Sequence, residues 1–69
     1  MPSEEFIDAE TGDEAACVVR VTSTGQVGLA VTLRSHGDLE VVLDPVVAER
    51  IASSLTAAAD KARSAAESQ

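Results

Sequence analysis

The sequence predicts an α+β domain: a three- or four-stranded antiparallel β-meander followed by one long C-terminal α-helix packed on one sheet face. Three observations carry this expectation. Apolar residues recur at every second position from Ala15 to Leu43, then at every third or fourth position from Val47 to Ala66. Glycines interrupt the first segment where tight turns need them, at Gly25 and Gly37. Asp44-Pro45 stands where one period gives way to the other.

The strands come first. Odd positions hold Cys17, Val19 and Val21, then Val27, Leu29, Val31 and Leu33, then Leu39, Val41 and Leu43, while Arg20, Thr22, Gln26, Thr32, Arg34 and Glu40 lie on even positions. Successive strand side chains point to opposite faces, so the three runs share one buried parity and build one sheet with an apolar and a polar side. Parity also constrains the turns, because a one-residue slip would turn half of the core outward. A three-residue loop at Ser23-Thr24-Gly25, with Gly25 left-handed, opposes Val21 to Val27, Val19 to Leu29 and Cys17 to Val31. The same rule at Ser35-His36-Gly37 opposes Leu33 to Leu39 and Val31 to Val41, and sets Arg34 against Asp38 on the polar face. A further turn at Glu10-Thr11-Gly12 pairs Ile7 with Ala15 and adds a short strand around residues 5–9. That strand would cover the open edge of the Cys17–Val21 run.

The helix follows. Asp44 suits an N-cap and Pro45 the first helical position, and neither Pro nor Gly occurs afterwards. Val47, Ile51, Leu55, Ala58, Ala62 and Ala66 form one stripe. The Val/Ile/Leu half is expected on the odd face of the sheet, with the alanine-rich half overhanging it.

Composition narrows the function. The chain has 69 residues, a single aromatic residue (Phe6) and a single cysteine, and a net charge of −7. Residues 1–14 carry six acids and no base, an acidic arm or edge strand; residues 15–69, the meander-plus-helix domain, carry six acids and five bases. Nucleic-acid binding is therefore not expected, since it needs a basic face to displace counterions. Nor is binding to an anionic membrane. No apolar run reaches bilayer length, and an acidic start with one cysteine reads as cytoplasmic.

Candidate chemistry is sparse. Ser35-His36-Gly37-Asp38 contains triad residue types, but adjacency on a turn does not make a relay. His36 with Asp38 and Glu40 would give an open, weak metal site. Cys17 has core parity, with no cation beside it to favour a thiolate. Asp8–Glu14 resembles a calcium loop, yet its glycine falls one place early. The expectation is no catalytic residue, no cofactor and no metal.

The polar face is more informative. Val18, Ala30 and Val42 are expected to line up across three strands, with cover from Phe6 as the bland explanation and a contact surface as the functional one. With Ala58, Ala59, Ala62 and Ala66 they make a candidate self-association surface. Leu43-Asp44-Pro45, Ala48-Glu49-Arg50-Ile51-Ala52 and Leu55-Thr56-Ala57-Ala58-Ala59-Asp60 also resemble the C-terminal part of small uncharacterised proteins of high-GC actinobacteria and their phages. The resemblance covers residues 39–62 and implies a strand entering a helix, without a catalytic residue to carry over. The reading is a homodimeric, non-enzymatic protein-interaction or assembly module. Its alternative is an acidic inhibitor of a basic host protein or of a nucleic-acid-binding surface.

Overall fold

The computed structural model describes residues 3–67; residues 1–2 and 68–69, the outer ends of the two expected segments, lie outside the description. Strands β1 (Ser3–Ile7), β2 (Glu14–Val21), β3 (Val27–Leu33) and β4 (Gly37–Leu43) form one antiparallel sheet in the order β1-β2-β3-β4. Helix α1 (Pro45–Glu67) follows. The sheet is thus four-stranded, and the acidic arm supplies its first strand.

The β2–β3 register is the expected one, with Val21 opposite Val27, Val19 opposite Leu29 and Cys17 opposite Val31. Gly25 takes φ +79 and donates its N–H to the Thr22 carbonyl, closing the three-residue turn. The β3–β4 register differs from expectation by two residues. Leu33 lies opposite Gly37, Val31 opposite Leu39 and Leu29 opposite Val41. The turn is Arg34-Ser35-His36, closed by the His36 N–H on the Leu33 carbonyl, and Gly37 follows at φ +83. A shift of two residues keeps every side chain on its face, so the apolar pattern alone does not choose between the two registers. Polar contacts do. The Arg34 N–H continues the β2–β3 ladder onto the Glu14 carbonyl, and Ser35 reaches Asp13. Arg34 consequently pairs with Glu14, Nη1 to Oε2 at 2.8 Å, while Asp38 faces Thr32.

The first hairpin departs by one residue, which matters more. The Asp8 carboxylate accepts the Glu10 and Thr11 N–H groups at 2.8 and 3.1 Å, and the Asp8 carbonyl accepts the Gly12 N–H. This local bonding holds a four-residue loop, Ala9–Gly12, where a three-residue one was expected. Phe6 therefore opposes Ala15 and joins the odd apolar face of β2, while Ile7 opposes Glu14 on the other side. Phe6 is unable to cover the even face.

The odd face gathers Phe6, Ala15, Cys17, Val19, Val21, Val27, Leu29, Val31, Leu33, Leu39, Val41 and Leu43, with Glu4 as its one charge. Helix α1 begins directly behind β4, its first helical N–H (Ala48) bonding the Asp44 carbonyl, and contacts the sheet at β4. Cover is thin: Ala15, 7% exposed, is the one buried apolar side chain among the described residues.

The β1 register yields a test. Phe6 is 45% exposed and Ile7 59% exposed, so Phe6→Ala should cost about 1 kcal/mol, roughly half the value of full burial. Ile7→Ala should cost less. Urea unfolding of both variants checks this, and the reverse ranking would place Ile7 on the core face.

Candidate interaction surface

The even face is built from charge pairs around a glycine. Arg20, Gly28 and Val42 share one cross-strand row, and Val18, Ala30 and Glu40 the next. The Arg20 side chain lies across Gly28, where an added Cβ would stand 2.9 Å from Cγ, and its Nη2 meets Glu40 Oε2 at 3.0 Å. The shifted register thus separates Val42 from Val18 and Ala30, and the expected three-strand apolar row does not form. Val18 and Ala30 remain neighbours, half-buried, in a row that ends on Glu40. Charge dominates this side of the sheet.

The odd face is different. A cleft of about 480 Å³ runs between it and the first three turns of α1. Cys17, Val19, Val27, Leu29 and Leu43 line its floor, and Ala48, Ile51, Ala52 and Leu55 its helical wall. Glu49 is its one charged residue. The expected packing of the Ile/Leu half over the sheet is therefore present but open: Leu55 remains 67% exposed. Val47, Ile51, Leu55 and Ala58 also line a second groove on the helix surface. Beyond Leu55 no helical residue lines the cleft, and Ala58, Ala59, Ala62 and Ala66 are all exposed. Sequence reasoning placed the candidate surface on Val18, Ala30 and Val42 of the even face and on Ala58, Ala59, Ala62 and Ala66 of the helix, and missed this cleft. The signal was available: eleven apolar residues of one parity between Ala15 and Leu43 face one helix of the described residues.

The two turns at the far end of the sheet form a polar cluster. Ser35 donates its hydroxyl to Asp13 Oδ2 at 2.6 Å, and the Ser35 N–H donates to the same oxygen at 3.2 Å. His36 Nδ1 lies 2.8 Å from Ser35 Oγ and 3.8 Å from Asp13 Oδ2. The order is Asp–Ser–His. A nucleophilic relay needs the imidazole between serine and carboxylate, whereas here the carboxylate holds the serine proton directly. The arrangement ties the β1–β2 turn to the β3–β4 turn.

Cys17 sits half-buried on the cleft floor. Among the described residues no group of three or more His, Cys, Asp and Glu side chains is gathered tightly enough to hold a metal. No described helix is long and apolar enough to cross a membrane. No protein-family model, curated protein or solved structure matches the chain.

The turn carboxylates set a pH dependence. The Glu10 and Thr11 amides hold the Asp8 carboxyl below its ordinary pKa, and the Ser35 hydroxyl and amide do the same for Asp13. Such groups bind protons in the unfolded chain before they do in the folded one, so their stabilisation is complete above the unfolded pKa of about 3.9 and is lost as pH falls through the lower folded values. Thermal melts should therefore drop below about pH 4. Asp8→Asn and Asp13→Asn should each shrink that drop and lower the melting temperature at neutral pH. An unchanged acid profile in both variants would show that the turns do not depend on these bonds.

Proposed function

We propose that the protein is a non-enzymatic interaction or assembly module that works as a homodimer. One observation carries this reading: its surface is too large for its mass. The chain exposes 5518 Å², whereas a folded monomer of 7.1 kDa exposes about 4,100 Å² by the usual scaling. Its radius of gyration is 14.1 Å, against about 11 Å for a compact domain of this length. The excess, about 1,400 Å² per chain, matches what one partner loses in an obligate homodimer, where interfaces total roughly 2,000–5,000 Å². Exposed Val21, Leu39, Val41, Val47 and Leu55 account for much of the apolar part.

The charge is compatible with pairing of like chains. Arg20–Glu40, Arg34–Glu14 and Arg63–Asp60 are satisfied within one chain, so two copies can meet through apolar surface without opposing these charges. The same distribution weakens the reading as an acidic inhibitor. Of the six N-terminal acids, Asp8 and Asp13 are bonded in turns and Glu14 is paired, which leaves Glu4, Glu5 and Glu10 to offer a basic partner. A cytoplasmic, high-GC actinobacterial or phage setting belongs to the same proposal and rests on the sequence features alone.

Light scattering on the purified chain is the direct test. A species of twice the chain mass is expected at tens of micromolar. It should persist in moderate salt, because apolar contacts are not screened as surface charges are. A monomer at that concentration would reject the reading, and a dimer dissolved by salt would favour electrostatic association.

A further inference from the structure

We infer that the open part of the odd sheet face is covered by helix α1 of a second copy, so that each helix is shared between two sheets. The inference rests on the homodimer reading and specifies its interface. The argument starts from widths. Four strands spaced at about 4.8 Å present a face roughly 19 Å across, while one helix with its side chains covers only about 10–12 Å. A single helix leaves nearly half of such a face bare, and the described residues form one helix.

Length points the same way. The 23 residues of α1 span about 34 Å, but a seven-residue strand such as β3 or β4 spans about 24 Å. The helix uses Pro45 to Leu55 to flank its own sheet and has two further turns and more beyond the cleft. The sheet, in turn, leaves its far end open, with Phe6 45% and Leu39 70% exposed. One element overhangs and one surface lacks cover. In a two-fold dimer each chain supplies what the other needs. The area agrees, since the surplus of about 1,400 Å² per chain is the size of an obligate interface.

The chemistry is complementary as well. The exposed stripe of Leu55, Ala58 and Ala62 is apolar, and the only charge on the face it would meet is Glu4 at the β1 edge. Alanine side chains let the incoming helix come close to both the sheet and the resident helix. The charged side chains of that half, Asp60, Lys61, Arg63 and Glu67, fall on other positions around the helix.

Three single substitutions and one label experiment decide the matter. Ala62→Glu and Leu39→Glu should each raise the dimer dissociation constant by at least about tenfold, because a carboxylate would be forced into an apolar contact. Glutamate is a good helix former, so Ala62→Glu should keep its helical circular dichroism. Val42→Glu, on the even face, should leave the dimer intact. In a dimer mixed from labelled and unlabelled chains, nuclear Overhauser contacts are expected between the Ala62 methyl of one copy and the Leu39 methyls of the other. A dimer that lacks these contacts and tolerates Ala62→Glu would overturn the shared helix while leaving the homodimer standing. Dissociation by Val42→Glu alone would move the interface to the even face. A monomeric wild type would remove both readings together.

Discussion

An apolar sheet face four strands wide must be kept from water, and the described residues provide one helix with which to do it. Most features of the structure follow from that imbalance. The odd parity of residues 15–43 concentrates Val, Leu and Cys on one side, and only the first three turns of α1 line the cleft on that side. Among the described residues Ala15 is the one buried apolar side chain, between Phe6 and Leu33 of the flanking strands. Without a disulfide, and with a single aromatic side chain, a core of this size supplies little stability by itself. In the homodimer proposed above, folding and association would form one process, with the last apolar surface leaving water as the second chain arrives.

The opposite face carries charge instead. Gly28 has no side chain to interrupt the sheet surface, and Arg20 uses the space to reach Glu40 on β4. Both groups are partly exposed, so the pair adds little energy. Its value lies in register: Glu40 comes within reach of Arg20 only when Leu33 opposes Gly37. Asp13 and Ser35 act similarly at the far end, where they join two turns that are distant in sequence. Polar contacts thus select between strand alignments that hydrophobicity leaves equivalent.

This division explains what could be read from the residues. Parity, element order, the Gly25 turn and the helix start at Pro45 follow from periodicity and turn chemistry, which are local properties. The two register differences do not. Between β3 and β4 a two-residue shift leaves all faces unchanged, and the choice falls to Glu40, whose partner Arg20 lies 20 residues away. Between β1 and β2 the Asp8 carboxylate lengthens the turn by one residue, which exchanges Phe6 for Ile7 on the apolar face. The Asp13–Ser35 and Glu14–Arg34 contacts were nevertheless implicit in the β2–β3 alignment, because extending its ladder past Leu33 sets these residues side by side. The expected three-strand row on the even face does not form, because the β3–β4 shift moves Val42 out of the row of Val18 and Ala30.

Charge and hydrophobicity therefore occupy separate parts of the molecule. Acids are densest along β1 and its turn, whereas the helix stripe and the odd face are nearly free of charge. A net charge of −7 opposes close approach of two copies in general, but repulsion between exposed charges fades beyond about 8–10 Å at physiological salt. Apolar contact acts at short range and on the one side where few charges are present. In the proposed homodimer the acids of β1 then discourage edge-to-edge stacking along that strand, while the apolar face supplies the contact.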